Sequence, residues 1–291
     1  MNDLGSKIWQ DPFEQQTHHL WLDNREHWKI NSLGLIHENE TFGKLEVFQR
    51  NEAVFEVRYE GWFVQLMPDT AKIVVLQRSE DKIPAFYMYE RIALPILRLI
   101  RGCLLLHASC VDMDGKCVVF LAQTGVGKTS LAGALLKYPN HRLVAEDTLA
   151  LLADSATFYA LPGADYLAVR HHLLDDLEGI SAVEDMENKR ILHIEPGLCR
   201  KVPMPVAALM ILASGDNGIP VQIDNKQEAL TSLLCQQMAF SNVSADFKRL
   251  QFRWMMELIR QLPVFWMNMD LSCDEKMKEC VKNLRKWRLR A

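Results

Sequence analysis

The pattern of hydrophobic and polar positions changes near residue 94. Before that point, short aromatic and β-branched runs alternate with polar residues, and turn-like stretches separate the runs. Alternation of this kind predicts β-strands with one buried face. The clearest runs begin at Lys44, Ala53, Gly61 and Lys72. We therefore predict a β-rich N-terminal lobe over residues 1–94 and a second domain over residues 95–291.

The second domain has longer apolar segments. Residues 116–122 form a continuous apolar run of strand length, which is typical of a strand covered on both faces of its sheet. A glycine-rich stretch follows at 123–127, and the apolar positions from Leu131 onwards have helical spacing. This order of strand, loop and helix predicts an α/β fold.

The remaining apolar segments extend the α/β prediction. Strands are predicted over 103–107, 142–145, 206–212 and 264–269, with 148–152 continuing the second of them. Helices are predicted over 92–100, 227–238, 246–261 and 274–288.

The loop after the first long apolar strand carries a phosphate-binding motif. Residues 122–129 match the pattern G-x-x-x-x-G-K-[ST], except that Ala122 replaces the first glycine. Glycines allow the backbone amides to turn inward around an anion, and the helix that follows directs its positive end at the same point. A glycine-rich turn with an incidental lysine is the alternative, and the flanking strand and helix favour nucleotide binding. The predicted nucleotide-binding residues are Thr124, Gly125, Val126, Gly127, Lys128, Thr129 and Ser130.

Candidate catalytic residues lie close to this loop in sequence. Lys128 would contact the β- and γ-phosphates, and the Thr129 hydroxyl would ligate Mg²⁺. Glu146 and Asp147 follow a predicted strand, where one carboxylate could hold the metal and the other could accept a proton. A solvated acidic turn is the alternative, which the apolar flanking residues disfavour. His107 ends the strand that precedes the loop strand, and taken alone it would be interpreted as a hydrogen-bonded core histidine.

Charge and composition exclude several classes of function. The chain has 33 Lys and Arg against 37 Asp and Glu, a net charge of −4, so no global field attracts nucleic acid or an anionic membrane. Charged residues interrupt the longest apolar stretch, and the N-terminus lacks a secretory pattern, so we expect a cytoplasmic protein with no membrane span. The seven cysteines include no C-x-x-C pair, which favours reduced thiols over a structural metal site.

Three short motifs follow one another along the second domain. They are Leu106-His-Ala-Ser-Cys-Val, the loop 122–129 after a spacer containing Gly115, and Arg142-Leu-Val-Ala-Glu-Asp. Together they resemble the kinase domain of HPr kinase/phosphorylase and its relatives, the HPr-kinase-like serine kinases. The resemblance covers roughly residues 100–285, is strongest from 104 to 150, and weakens to patterns such as Leu161-Pro-Gly with Arg170.

The resemblance implies a P-loop kinase domain of the type shared with phosphoenolpyruvate carboxykinases, built on a mixed sheet. It also implies ATP- and Mg²⁺-dependent phosphorylation of serine. By position, His107 matches the family's active-site histidine, Lys128 and Thr129 match its loop residues, and Glu146-Asp147 match its paired aspartates. On that match Asp147 is the better candidate for the catalytic base, with Glu146 assisting the metal or the histidine, and the assignment of the two roles stays open.

One further expectation accompanies this assignment. Arg170 is a candidate to neutralise charge on the transferring phosphoryl group. The predicted catalytic set is therefore Asp147, His107, Lys128, Glu146 and Arg170, with Thr129 and Glu146 as Mg²⁺ ligands.

The identity of the acceptor stays open at the level of sequence. A serine of a peptide or small protein is the leading hypothesis, and kinases that tailor ribosomally made peptides, including lasso-peptide precursor kinases, have a similar layout. Phosphorylation of a small hydroxyl metabolite such as an amino acid is the second hypothesis. A nucleotide-binding regulatory module without catalysis is the third. Family kinases often form homo-oligomers, so self-association is an expectation from the resemblance alone.

Overall fold

The chain divides into two units according to its internal contacts. The first comprises residues 1–104 and 238–254, and the second comprises residues 105–237 and 255–291. The predicted boundary at residue 94 stays a prediction. The structure is a computed structural model that describes residues 8–10, 37–39, 43–51, 53–77, 87–153, 157–163, 165–169, 180–186, 189–216, 218–236, 245–269 and 274–288.

The first unit contains a six-stranded antiparallel sheet. Its strands are β1 Ile8–Gln10, β2 His37–Asn39, β3 Gly43–Asn51, β4 Val54–Tyr59, β5 Trp62–Met67 and β6 Lys72–Gln77. Their order is β1-β6-β5-β4-β3-β2. Val57 and Val64 face each other across β4 and β5 and are fully buried, as the predicted alternation requires. A π-helical segment, Tyr87–Ala93, then leads into helix α1, Leu94–Ile100.

The remaining elements follow β6 and α1 in chain order. The strands are β7 Leu104–Leu106, β8 Ala108–Met113, β9 Lys116–Leu121, β10 His141–Ala145, β11 Leu149–Ala153, β12 Phe158–Leu161, β13 Tyr166–Val169, β14 Ile180–Met186, β15 Lys189–Ile194, β16 Met204–Ser214, β17 Val221–Gln222 and β18 Val264–Met269. The helices are α2 Lys128–Leu136, α3 Lys226–Leu234, α4 Ala245–Gln261 and α5 Asp274–Arg288.

A nine-stranded mixed sheet organises the second unit. Its order is β10-β8-β9-β16-β12-β11-β7, and β18 pairs with both β16 and β17. β8 is antiparallel to β9 and β10, whereas β16 is parallel to β9 and β18. Strands β9 and β10 therefore end at the same edge of the sheet at which β8 begins. We call this the loop edge, and the opposite ends of these three strands form the far edge.

One face of this sheet packs against helices and a smaller sheet. Phe120 of β9 shares a buried core with Leu131 and Leu135 of α2, Leu284 of α5 and Leu167 of β13. β13 belongs to a three-stranded sheet with the order β13-β15-β14. Both inward and outward side chains of β9 are buried, since residues 117–121 are all fully covered. This burial explains why β9 is continuously apolar rather than alternating.

The structure confirms the α/β prediction, with a large mixed sheet as its centre. The predicted strands and helices are present with ends shifted by a few residues. The helix predicted over 227–238 ends at Leu234, and residues 237 and 238 lie outside the described residues. One prediction was wrong, because residues 148–152 do not continue strand β10. The backbone turns at Asp147, where φ is +64°, and β11 pairs with β12 elsewhere in the sheet. Within the described ranges, no helix is long and apolar enough to cross a membrane.

Candidate nucleotide-binding site

The predicted site residues from three separate chain segments meet at the loop edge. Ala108 of β8 pairs with Leu121 of β9, so His107 lies beside the start of the loop 122–129. We call this loop the phosphate loop, after its sequence motif. Ala145 of β10 pairs with Cys110 of β8, which brings the following Glu146 to the same edge. These residues therefore converge at the loop edge, although β8 separates the two strands that carry the loop and the acids.

The phosphate loop has the backbone that its glycines predict. Gly125 and Gly127 have φ values of +90° and +111°, a region that residues with a Cβ rarely adopt. Helix α2 begins directly after Gly127, and its first hydrogen bond runs from the Leu131 amide to the Gly127 carbonyl over 2.9 Å. The amides of the preceding turn are therefore not used by the helix, and an anion at this point is favoured by them and by the helix dipole.

Ala122, which replaces the first glycine of the motif, fits its position. Its side chain is 1% exposed and belongs to the core beneath α2. Its φ is not among the positive values in the chain, so a Cβ here meets no backbone penalty. The departure from the motif therefore leaves the loop intact.

Lys128 and Thr129 link the loop to neighbouring strands. The Lys128 ammonium donates to the Ala122 carbonyl over 2.6 Å, so it lies across the base of the loop. The Thr129 hydroxyl donates to Glu146 Oε1, also over 2.6 Å. Glu146 is only 3% exposed. The structure thus joins the threonine of the phosphate loop to the buried carboxylate that the sequence predicts as its partner in metal binding.

A β-bulge in β10 directs Glu146 towards helix α2. The pairing register with β8 shifts between Leu143 and Ala145. Leu143 belongs to the core beneath α2, and a regular strand would then turn Glu146 to the opposite face of the sheet. The extra residue reverses the alternation after Leu143, so Glu146 comes to the face where Thr129 lies. The sequence pattern contains no signal for this bulge.

Asp147 occupies a tight turn beside His107. The Thr148 amide donates to the Glu146 carbonyl over 2.7 Å, and Asp147 between them has φ of +64°, which describes a γ-turn of the rarer, strained form. This turn places Asp147 Oδ1 3.2 Å from His107 Nε2. The two side chains are 48% and 32% exposed, so the pair is accessible to a substrate.

Two residues outside the predicted set hold this arrangement in place. The Gly163 amide donates to the Val144 carbonyl over 2.7 Å, and a Cβ at Gly163 would lie 3.0 Å from the Cβ of Ala145. The Leu161-Pro-Gly pattern therefore packs against the strand end that carries the acids. The carbonyl of the buried Gln236 accepts a hydrogen bond from the His107 amide over 2.8 Å. Nothing local in the sequence marks Gln236 as a neighbour of His107.

Arg170 lies outside the described residues, so its predicted role is neither supported nor excluded.

A cavity of about 460 Å³ lies at the far edge and is lined by Asp114, Gly115, Asn140, Arg142 and Arg200. It is distinct from the phosphate loop. Arg200 pairs there with the fully buried Asp112, whose other oxygen accepts a hydrogen bond from the Gly115 amide over 2.7 Å. These contacts describe a structural network rather than a second reactive centre.

The donor set at the loop edge fits Mg²⁺. In the part of the chain that the structure describes, no three His, Cys, Asp or Glu side chains cluster as a metal cage. Mg²⁺ bound with a nucleotide usually takes one or two protein oxygens, with phosphates and water completing its shell. The Thr129 hydroxyl and the Glu146 carboxylate are hard oxygen ligands of this kind, and they already lie side by side.

No family model matches the sequence, and no curated protein matches it. Among solved structures, the chain is similar to the HPr(Ser) kinase/phosphatase from Coxiella burnetii, with a TM-score of 0.35 and 12% sequence identity. That similarity covers 64% of this chain and 91% of the other. A structural similarity at this level carries no function, so the nucleotide and metal roles of these residues depend on the geometry of the loop edge.

Proposed function

We propose that this chain is an ATP- and Mg²⁺-dependent kinase that transfers the γ-phosphoryl group to a serine hydroxyl. The observation that carries the proposal is the contact of Thr129 with Glu146 at 2.6 Å, next to the His107–Asp147 pair at 3.2 Å. A phosphate loop alone would indicate only nucleotide binding. The addition of a buried carboxylate and an accessible aspartate at the same edge supports phosphoryl transfer.

Each residue has a distinct role in this proposal. The loop amides and Lys128 bind the phosphates, and Thr129 and Glu146 hold the metal, which neutralises charge on the phosphates when bound. Asp147 accepts the proton of the attacking hydroxyl as its oxygen bonds to the γ-phosphorus and the bond to the bridging oxygen breaks. His107 orients the Asp147 carboxylate. ADP and the phosphorylated acceptor are the products.

For the acceptor, we infer a serine of a peptide or small protein, and specifically of a ribosomally made peptide. This part of the proposal comes from the sequence resemblance. The exposure of Asp147, at 48%, is compatible with an acceptor larger than a free amino acid. The same exposure would admit a small hydroxyl compound, so the assay must include both.

The test is transfer of label from γ-labelled ATP to a panel of serine peptides and free hydroxy amino acids. Wild-type protein should label a peptide, and Lys128→Ala should reduce the rate by about 10²- to 10³-fold, because a preorganised cation at the phosphates is lost. Lys137→Ala is the matched control, since Lys137 is exposed at the other end of α2 and should leave the rate unchanged.

Three outcomes separate the alternatives. Label in amino acids but not in peptides would favour a metabolite kinase. Tight ATP binding without any labelled product would favour a non-catalytic nucleotide-binding module. Equal rates in wild type and Lys128→Ala would contradict the assignment of the loop.

A further inference from the structure

One buried polar side chain at the loop edge has no role in the proposed function. Ser109, two residues after His107, is fully buried, and its hydroxyl has no hydrogen-bond partner among the described residues. Buried hydroxyls are nearly always hydrogen-bonded, and leaving one without a partner is destabilising. A group retained at this cost indicates a partner that is supplied at another stage.

The strand register ends one residue before Ser109 and Glu146, on the α2 side of the sheet. Ser109 lies opposite Phe120 and alternates with Val111 along β8, and both of those residues belong to the core beneath α2. Its side chain is therefore on the α2 face. On the other side of β8, Cys110 pairs with Ala145 in the last pair of that ladder. The next residues towards the loop edge are Ser109 on β8 and Glu146 after β10.

The bulge in β10 brings Glu146 to the face of the sheet on which Ser109 lies. Because the bulge turns Glu146 to the α2 face, Glu146 follows the last pair of the ladder, Ala145 with Cys110, on the side of the sheet where Ser109 lies. Residues in facing positions on neighbouring strands have Cβ atoms about 4.5–5.5 Å apart. A serine hydroxyl and a glutamate carboxylate can meet over this separation by side-chain rotation alone.

We propose that Ser109 is a positioning residue, which donates a hydrogen bond to the Glu146 carboxylate when Mg²⁺ and nucleotide are bound. This inference rests on the proposed function and names a new member of that site. Thr129 donates to Glu146 in the present structure, and its oxygen becomes a metal ligand in the loaded state. The hydrogen bond from Ser109 then holds the Glu146 carboxylate in place. Groups that hold a metal ligand in this way typically change metal affinity by about 10- to 100-fold when removed.

The test compares Ser109→Ala with wild type in two measurements that do not depend on turnover. The first is the thermal midpoint without ligand, which should be equal to or above that of wild type, because an unpartnered buried hydroxyl is removed. The second is the Mg²⁺ concentration that gives half of the thermal shift at saturating ATP. This concentration should rise about tenfold in Ser109→Ala.

Cys110→Ala is the matched control, because Cys110 is the next residue of β8, is equally buried and lies on the opposite face of the sheet. It should leave the Mg²⁺ requirement unchanged. An unchanged Mg²⁺ requirement in Ser109→Ala, whatever its thermal midpoint, would overturn the inference. A wild-type protein that shows no shift with Mg²⁺ and ATP would instead overturn the proposed function itself, so the two failures are distinguishable.

Discussion

A histidine–aspartate pair lies at each end of the neighbouring strands β8 and β10. At the loop edge, His107 Nε2 is 3.2 Å from Asp147 Oδ1, and at the far edge, His141 Nε2 is 3.7 Å from Asp114 Oδ2. Both aspartates have positive φ, +64° for Asp147 and +56° for Asp114. In residue type and backbone conformation the two pairs are alike.

Their surroundings separate them. The His141 side chain is 1% exposed, its Nδ1 lies 3.0 Å from the carbonyl of Leu135 in α2, and burial lowers its pKa. It therefore ties the end of α2 to the start of β10. The His107–Asp147 pair is accessible and lies beside the phosphate loop. The two aspartates are similarly exposed, so the exposure of the histidine and the neighbours of each pair, rather than residue type, distinguish the two pairs.

The same contrast applies to the two buried carboxylates of this region. Asp112 at the far edge accepts hydrogen bonds from Arg200 and from the Gly115 amide, so its charge is balanced within the chain. Glu146 at the loop edge accepts from the Thr129 hydroxyl, a residue type that also ligates Mg²⁺. The partners in these two contacts differ in kind: Asp112 faces a guanidinium, whereas Glu146 faces a hydroxyl that can itself ligate Mg²⁺.

The largest expected effect is on catalysis at the loop edge. Asp147→Asn should reduce turnover by about 10²- to 10⁴-fold, because the proton acceptor is lost, while ATP affinity stays unchanged. Asp114→Asn at the far edge should keep turnover near the wild-type value. Initial rates and ATP titrations measure both. Comparable losses in the two variants would abolish the distinction between the edges.

The next effect is on stability at the far edge. Asp112→Asn should lower the free energy of unfolding by about 2–3 kcal/mol, since it breaks a pair with one fully buried partner, partly relieved because Arg200 can turn to water. Urea denaturation measures the change. Asp216→Asn, in an exposed pair with Lys276, should change stability by less than about 0.5 kcal/mol. Equal effects of the two substitutions would refute the structural role of Asp112.

A smaller effect concerns the position of the acids. Gly163→Ala places a methyl group 3.0 Å from the Ala145 Cβ and should displace the strand end that carries Glu146. We expect kcat to fall by about tenfold with little change in KM for ATP, because sub-ångström misplacement affects the reacting groups most. Gly197→Ala is the control, since a Cβ there meets nothing within 4 Å. A kcat that Gly163→Ala leaves intact would show that the strand end tolerates the shift.

The smallest expected effect is the pH dependence from His141. Burial lowers its pKa in the folded state, so the unfolded chain binds the proton more readily, and stability falls as the pH drops below 6.5. Asp112 and Asp114 partly oppose this shift, and Arg285 adds to it. His141→Gln should flatten the dependence of the urea midpoint on pH between about 7.5 and 5.5. An identical slope in both proteins would exclude His141 as its source.

Local patterns predicted the parts of the site that are continuous in sequence. The buried strand, the glycine-rich loop and helix α2 were all evident, because burial, positive φ and helical spacing each require particular residue types. The acidic pair was recognised by its place after an apolar strand.

Pairing between distant segments could not be predicted in the same way. The sequence does not show that β8 lies between β9 and β10, that a bulge turns Glu146 to the α2 face, or that Gly163 packs against Ala145. The incorrect continuation of β10 into residues 148–152 has a related cause. An apolar run predicts a strand, but the positive φ of Asp147 that interrupts it depends on the surrounding turn.

The most direct test of the central claim is a crystal structure with Mg²⁺ and a non-hydrolysable ATP analogue. The account predicts the β- and γ-phosphates against the amides of residues 125–129, and Mg²⁺ about 2.0–2.1 Å from the Thr129 hydroxyl with Glu146 beside it. A nucleotide bound elsewhere, or a triphosphate in the loop with its metal remote from Thr129 and Glu146, would contradict it.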